Sequence, residues 1–367
     1  MRIPLSRALI PEEAIKATEE TLRTGWLGTG AKVAQFESEF ADYIGIDYSI
    51  AVSSGTAALQ LGLKLFDLDE GDEVITTPLT FVSTNHAILY ERATPVFADV
   101  QSDTGSIDPL SIEEKISDRT KVIICVHFGG FPCDLDEIYD LASRRGLNVL
   151  EDCAHACGSV YRGKTVGSHG QVHTFSFSSV KNLATPGGGA VTVRTEEHRA
   201  RLNRLRMLGA DRDSYQRAKD QEYDWDYAVL EVGLRAHMNE ATAAIALEQL
   251  RGLDDTNRRR KELYGHYRTR LRDVAGVTII SDKDDRESNG YMTGLLVEDR
   301  DSLITKLAAA GIESGVYYRP NYHFPMYDGH ELPNVEWFWR RHIALPMHLL
   351  LTDEQVDFIC DQIAGGW

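Results

Sequence analysis

Short apolar runs alternate with helical stretches between residues 50 and 193, and this alternation constrains the fold more than any other feature. Strands that alternate with helices need crossover connections, which give a mainly parallel sheet covered on both faces. The sequence therefore predicts an α/β fold with a mainly parallel seven-stranded sheet. The predicted strands are residues 50–52, 74–76, 96–98, 122–126, 149–150, 174–177 and 190–193.

A chain of 367 residues is long enough for one large and one small domain. An amphipathic stretch at 239–272 precedes a predicted strand at 291–298 and a predicted helix at 301–310. We therefore predict a large domain over residues 1–250 and a small α+β C-terminal domain over residues 251–367.

The charge balance excludes some classes of partner. A formal net charge of −17 disfavours nucleic acid, because neutralising phosphates requires a basic face. The first residues, MRIPLSRALIPEE, lack the apolar segment of a signal peptide, and no apolar run approaches the ~18 residues of a membrane helix. We therefore expect a cytoplasmic protein without nucleic-acid or membrane partners. A small anionic substrate stays possible, since a few arginines can hold it.

Five cysteines are an odd number in a large chain, which argues against a disulfide framework. Cys153, His155 and Cys157 could be read as metal ligands. They lie where a predicted strand enters a loop, and no second ligand pair follows at the spacing of a zinc site. We therefore expect buried thiols and no metal.

Residues 150–193 carry the chemistry of the chain. Asp152 ends one predicted strand, Lys181 follows another, and ligands of such sheets bind beyond the carboxyl ends of the strands. A pyridoxal phosphate enzyme needs a lysine that forms a Schiff base and a carboxylate that pairs with the protonated pyridine nitrogen. This pattern favours pyridoxal 5′-phosphate (PLP) as a cofactor.

Four ordered motifs carry a family resemblance: residues 53–61 (SSGTAALQL), 77–90 (TPLTFVSTNHAILY), 150–193 and 233–250 (GLRAHMNEATAAIALEQL). With them the chain resembles the DegT/DnrJ/EryC1/StrS sugar aminotransferases over almost its whole length. The resemblance implies fold type I, as in aspartate aminotransferase, and a homodimer with active sites at its interface.

The resemblance also implies two catalytic residues. Lys181 would form the internal aldimine with PLP and then move a proton as general base and acid. Asp152 would be the ionised partner of the pyridine nitrogen, while Glu151 points to the opposite face of the strand. Some family members are sugar dehydratases with histidine at the lysine position, so Lys181 favours transamination.

A phosphate cradle is expected at Gly55, Thr56 and Ala57, where a strand turns into a helix. Helix N-termini offer unpaired N–H groups to anions, and glycine lets the backbone approach closely. Ser176 matches a phosphate ligand of the family.

Two further residues would contact the cofactor ring. Phe81 matches the aromatic residue that stacks on the pyridine, and a core phenylalanine is the alternative; either interpretation buries it. His155 stands where relatives carry a histidine or glutamine near the phenolic oxygen, with a structural histidine as the alternative.

Arg235 departs from the family pattern. Many members read G-Y-N-Y-R-M where this chain reads Gly-Leu-Arg-Ala-His-Met at 233–238, and their asparagine reaches the cofactor phosphate of the partner subunit. One branch carries a lysine there, so the resemblance implies that Arg235 binds this phosphate, for which a guanidinium is suited.

The substrate pocket is expected in two variable regions, 26–30 and 317–327. Trp26, Tyr318, Arg319 and His323 are the candidates for binding the sugar or its diphosphate. The alternative for these aromatic-rich segments is a core edge or a dimer interface.

The resemblance implies transfer of an amino group from L-glutamate, through pyridoxamine phosphate (PMP), to a nucleotide-linked keto sugar. The C4 ketone of an NDP-4-keto-6-deoxyhexose is the first expectation, in the biosynthesis of amino sugars for surface polysaccharide or secondary metabolites. A C3 ketone or an aminocyclitol ketone are variants. Two alternatives stay open: a PLP-dependent sugar 3-dehydratase, and a regulatory protein that binds a nucleotide sugar without turnover.

Overall fold

The computed structural model describes residues 2–211, 227–281, 283–327 and 329–367. The α-helices within these residues are α1 (Glu12–Thr24), α2 (Ala31–Ile44), α3 (Gly55–Lys64), α4 (Ser83–Tyr90), α5 (Pro109–Lys115), α6 (Leu135–Arg145), α7 (Glu196–Leu205), α8 (Glu240–Arg251), α9 (Leu253–Leu271), α10 (Arg300–Ala309), α11 (Pro333–Arg341) and α12 (Asp353–Ala364). Two short 3₁₀ helices lie at Phe128–Gly130 and Asn321–His323.

The strands of the described chain are β1 (Tyr48–Val52), β2 (Glu73–Thr76), β3 (Thr94–Phe97), β4 (Thr120–Val126), β5 (Asn148–Asp152), β6 (Val160–Tyr161), β7 (Lys164–Thr165), β8 (Val172–Ser176), β9 (Gly189–Val193), β10 (Val277–Ile279), β11 (Arg286–Glu287), β12 (Thr293–Val297) and β13 (His342–Leu345). Strands β6, β7 and β11 form a small sheet of their own.

The large sheet has seven strands in the order β1-β9-β8-β5-β4-β2-β3. Strands β8, β5, β4, β2 and β3 run parallel, whereas β9 pairs antiparallel with both β8 and β1. The prediction of a mainly parallel seven-stranded sheet is confirmed, and each of the seven predicted apolar runs overlaps one of its strands. Buried residues on both faces explain why these strands read as continuous apolar runs.

Local sequence signals set the ends of the first two helices. Pro11 is the N-cap of α1, and Gly25 ends that helix with φ 72°. Gly45 ends α2 in the same left-handed conformation, with φ 80°. Glycine adopts this conformation without the steric cost that a Cβ brings, so both helices end at a glycine.

An aromatic cluster joins α2 to the strand that precedes Lys181. The ring of Phe40 lies 5.0 Å from that of Phe175, 5.3 Å from that of Phe177 and 5.5 Å from that of Phe36. All four side chains are fully buried. Edge-to-face packing of this kind fixes the orientation of the rings, and so the end of β8 has a defined position.

The C-terminal part contains the predicted α+β unit. Antiparallel strands β10, β12 and β13 pack against α9 and α12 around a second buried cluster, which includes Leu263, Leu295 and Ile359. Ile3 from the N-terminus belongs to the same cluster and bridges to Ile312. The division into two domains at residue 250 stays a prediction.

No helix among the described residues combines the length and apolar character of a membrane span.

Replacing Phe40→Ala should lower the free energy of unfolding by about 3–5 kcal/mol, because it empties a fully buried aromatic site. Urea unfolding followed by circular dichroism measures this loss, and Phe40→Leu, which keeps most of the volume, should lose less. A loss below about 1 kcal/mol for the alanine variant would contradict tight packing of the cluster.

Candidate active site

A cavity of about 540 Å³ opens where parallel strands β5 and β8 end. This is the edge at which ligands bind in parallel α/β sheets. Its walls include Gly55, Thr56, Phe81, Thr84, Asp152, His155, Ser176, Lys181, Tyr291, Tyr317 and Tyr318. Residues predicted from three of the four motifs, and Tyr318 from the variable segment 317–327, therefore meet in one place.

Asp152 is the last residue of β5 and is 4% exposed. Its Oδ2 accepts a hydrogen bond of 2.8 Å from the Thr84 hydroxyl, and its Oδ1 accepts one of 3.1 Å from the Ala154 N–H. Burial raises the pKa of Asp152, while these hydrogen bonds and the charge of Lys181 oppose the rise. A cation beside Asp152, such as a protonated pyridine, would further favour the ionised carboxylate.

Lys181 lies in the turn after β8, where its N–H bonds to the Ser178 carbonyl at 2.9 Å. Its Nζ donates to the Tyr291 hydroxyl at 3.2 Å and lies 4.9 Å from the centre of that ring. Burial lowers the pKa of Lys181 to about 8, although the negative charge of Asp152 acts in the opposite direction. A lysine with this pKa has a substantial neutral fraction near pH 8, as a nucleophile requires.

His155 forms one wall together with two tyrosines. Its ring stacks on Tyr291 with centroids 4.4 Å apart, and its Nε2 lies 3.1 Å from the Tyr318 hydroxyl. Because Nδ1 accepts from the Gly129 N–H at 3.3 Å, the proton of the neutral ring is assigned to Nε2, which donates to Tyr318. Burial, followed by the charge of Lys181, lowers the pKa of His155 well below its usual value, which favours this neutral form.

Phe81 differs from the expectation of a buried side chain. It is 55% exposed, lines the cavity and lies 5.8 Å from the Tyr318 ring. The residue lies just before α4, at the mouth of the cavity, so its ring faces open space instead of the core. An exposed ring in this position is available to stack on a planar ligand.

The predicted phosphate cradle is formed in part. A Cβ on Gly55 would lie 2.7 Å from the Cβ of Ser176, so only glycine allows this close approach. Gly55 and Thr56 line the cavity. Ala57 does not: the Ser54 side chain caps the helix and accepts from the Ala57 N–H at 3.1 Å, which engages the donor expected to bind phosphate.

Besides Ala57, four further predicted residues do not line this cavity in the single chain. Arg235 and Arg319 are exposed, and the Arg319 guanidinium lies over the Phe324 ring at 5.5 Å. Trp26 donates from Nε1 to the Thr29 carbonyl, and His323 lies 3.0 Å from a carboxylate oxygen of Glu336. Their assignments to cofactor or substrate stay predictions.

Glu151 points away from the cavity, as the strand alternation predicts. It is fully buried, its Oε2 lies 3.0 Å from His127 Nε2, and its Oε1 accepts from the Tyr139 hydroxyl at 2.5 Å. Burial alone would raise the pKa of Glu151, but His173, His127 and the tyrosine hydroxyl lower it to about 2. This network links β5 to the neighbouring elements directly behind Asp152.

All five cysteines are buried and unpaired, as expected.

Three residues of the site were not predicted from the sequence. Tyr291 is 110 positions from Lys181, and Thr84 is 68 positions from Asp152, so no local pattern connects them. Tyr317, next to the predicted Tyr318, also lines the cavity. The threonine-rich segment 77–84 was the available signal for Thr84, because a hydroxyl is a suitable donor to a buried carboxylate.

A sequence model of the DegT/DnrJ/EryC1/StrS aminotransferase family matches residues 9–364. The chain belongs to this family. It is similar to the spore coat polysaccharide biosynthesis protein SpsC of Bacillus subtilis, with 37% identity over 98% of this chain and 96% of the relative. The predicted family and the predicted class of enzyme, a PLP-dependent aminotransferase, are thereby confirmed.

Solved structures confirm the fold and the cofactor. Spr1654 from Streptococcus pneumoniae, in its PMP form, matches with a TM-score of 0.94 and 30% identity over 99% of this chain and 98% of that one. A PLP form of the same protein matches with a TM-score of 0.92. The sugar aminotransferase CalS13 from Micromonospora echinospora has a TM-score of 0.93 and 32% identity over 100% of both chains.

The residues of the cavity fit PLP. A buried carboxylate whose pKa is raised faces the same space as a lysine whose pKa is lowered. Gly55 and Ser176 form a close-packed cradle at the start of α3, where a helix N-terminus favours a phosphate. The exposed face of the Phe81 ring is available to stack on the pyridine ring of the cofactor.

Replacing Thr84→Val keeps the volume of the side chain but removes the hydrogen bond to Asp152. A hydrogen bond to a charged group contributes about 1.5–3 kcal/mol, so PLP should bind about tenfold more weakly or worse. Spectrophotometric titration of the protein with PLP measures the dissociation constant. The matched control, Thr84→Ser, keeps the hydroxyl and should bind like the unchanged protein; equal affinity of the valine variant would contradict this role of Thr84.

Proposed function

We propose that this sugar aminotransferase transfers the amino group of L-glutamate to the C4 ketone of a nucleotide-linked 4-keto-6-deoxyhexose. The main support is that Lys181 and Asp152 face one cavity at the carboxyl edge of the sheet. A lysine, instead of the histidine of the related dehydratases, supports amino transfer over elimination. The preference for C4 and for glutamate comes from the family resemblance of the sequence.

Three residues of the cavity have assigned roles in the proposed reaction. When bound, PLP supplies an electron sink that stabilises the carbanion formed as a substrate C–H bond breaks. Asp152 would hold the pyridine nitrogen of the cofactor, because a carboxylate beside that nitrogen favours its protonated form. Lys181 moves the proton at Nζ, and Tyr291, 3.2 Å away, positions that amine.

The aromatic wall supports a sugar as the substrate. Tyr317 and Tyr318 stack with centroids 5.1 Å apart and present hydroxyl groups beside flat apolar surface. Sugars offer both apolar C–H faces and hydroxyl groups, so they match such a wall. The name of SpsC refers to spore coat polysaccharide, and on this basis we place the amino sugar product in a surface polysaccharide, with secondary metabolites as a second destination.

We also infer that the enzyme works as a homodimer. Arg235 is exposed and does not line the cavity of its own chain, although it stands at the position whose side chain reaches the partner's cofactor phosphate in many relatives. Exposed apolar side chains, including Val229, Leu230 and Val232, lie close to it in sequence. A dimer interface would cover such a surface.

Addition of L-glutamate to the PLP-loaded enzyme should bleach the visible absorption of the bound cofactor and leave the PMP form. A 4-keto-6-deoxy sugar nucleotide should then restore the absorption, and mass spectrometry should detect the amino sugar. Lys181→Ala should keep the fold, checked by circular dichroism, but lose both changes. Restoration only by a 3-keto sugar would contradict C4 amination, and activity of the alanine variant would contradict the role of Lys181.

The capture of PLP by the cofactor-free protein should depend on pH through Lys181. Only the neutral amine attacks the aldehyde, and the folded-state pKa of this lysine is lowered to about 8. The rate should therefore rise about tenfold per pH unit below pH 8 and level off above it. Stopped-flow absorption measures the rate; a rise that continues to pH 10 would indicate a lysine with an ordinary pKa.

A further inference from the structure

A second, smaller cavity lies beside the first and shares four residues with its wall: Ser6, Val180, Lys181 and Tyr291. Its remaining walls include Arg7, Gln249, Arg260 and His348. None of the described residues that line it is acidic. In a chain with a net charge of −17, a polar cavity with several cations and no carboxylate is unusual.

Arg260 is the buried cation of this cavity. It is 8% exposed, Nη2 donates to the Asn182 carbonyl at 3.5 Å, and Nη1 has no hydrogen-bond partner among the described residues. Within the same ranges no carboxylate lies within ion-pair distance of the guanidinium, and burial lowers the pKa of Arg260 to about 10. Buried charges are normally paired, so this guanidinium favours an anion from outside the chain.

Arg7 and His348 face the same space. Burial lowers the pKa of His348, the Pro4 carbonyl opposes this effect, and the charges of Arg7 and Arg260 lower the pKa further. Both arginines are therefore close enough to act on the same imidazole. Their electrostatic fields add in the cavity, where a bound anion would be stabilised by both.

Backbone contacts hold the N-terminal segment over the cavity. The Gln249 side chain donates to the Leu9 carbonyl at 2.9 Å, and the Met347 N–H donates to the Leu5 carbonyl at 3.0 Å. These bonds flank Arg7 on both sides in the sequence. Arg7 is therefore held near the cavity even though its side chain is exposed.

The size of the cavity limits the anion. The volume of the cavity is about 20 Å³, a little more than the ~10–15 Å³ that one water molecule needs. The cavity therefore accepts one small group. A carboxylate is the smaller of the anionic groups on the two proposed substrates, and the diphosphate of a nucleotide sugar is too large. Because Lys181 lines both cavities, a group bound in the smaller one would lie beside the Lys181 amine.

We propose that this cavity binds a carboxylate of the amino-acid donor, with Arg260 as the main partner and Arg7 and His348 as additional donors. The inference rests on the proposed amino transfer and adds to it the residues that select an acidic donor. The sugar substrate would occupy the larger cavity, so the two substrates would share Lys181 but differ in their anion contacts.

Two cavity variants, Arg7→Gln and Arg260→Lys, are compared with the control Arg258→Gln. Arg258 lies on α9 like Arg260, but it is exposed and pairs with Asp255. The PLP-loaded enzyme is titrated with glutarate, an unreactive dicarboxylate, by the shift in melting temperature, and with L-glutamate by bleaching. Both cavity variants should bind glutarate about tenfold more weakly and need about tenfold more glutamate, while the control should match the unchanged enzyme. The cofactor absorption before glutamate should stay the same in all of them.

Equal glutarate affinity of the cavity variants and the control would overturn the proposal. Loss of affinity for pyrophosphate with unchanged affinity for glutarate would also overturn it, because the anion would then be a phosphate of the sugar nucleotide. If glutarate binding depends on Arg7 but glutamate does not bleach the cofactor, the carboxylate site is supported and glutamate as donor in the proposed function fails. Circular dichroism of each variant excludes unfolding as the cause.

Discussion

The structure depends above all on the burial of two opposite charges, Asp152 and Lys181, in one cavity. Burial acts against both charged forms: it raises the pKa of the acid and lowers that of the amine. Each charge partly offsets this effect on the other. Without a ligand, burial of this acid and amine destabilises the charged forms of both groups. A ligand with a protonated ring nitrogen and an electrophilic carbon offers a partner to each.

The residues packed around Asp152 and Lys181 fix the positions of both groups. The Phe36, Phe40, Phe175 and Phe177 cluster fixes the end of β8, and the Glu151 network fixes β5 from behind. Thr84 and the Ala154 N–H then orient the carboxylate. Packed strands therefore position Asp152 at the end of β5 and the turn after β8 that carries Lys181.

The C-terminal part and the N-terminal segment complete the site. Tyr291 and Tyr318 come from the C-terminal half of the chain and close the cavity over Lys181. Arg7 from the N-terminus and Arg260 from α9 meet in the smaller cavity. In an acidic chain, cations gathered in one small space would favour anionic ligands there, as the proposed carboxylate site requires.

The sequence by itself determined the α/β class and the seven strands, because these depend on local apolar patterns. It also predicted that Lys181, Asp152, Gly55 and Ser176 lie near strand ends, and the structure brings these four residues to one cavity. Only the tertiary structure decided the contacts of Tyr291, Thr84 and Arg260, since their hydrogen-bond partners lie 110, 68 and 78 positions away. The structure also shows that the Ala57 N–H bonds to the Ser54 side chain, and that the Phe81 ring is exposed where the sequence predicts a buried one. Periodicity shows which residues end a strand, but distance and burial between remote segments arise only when the chain folds.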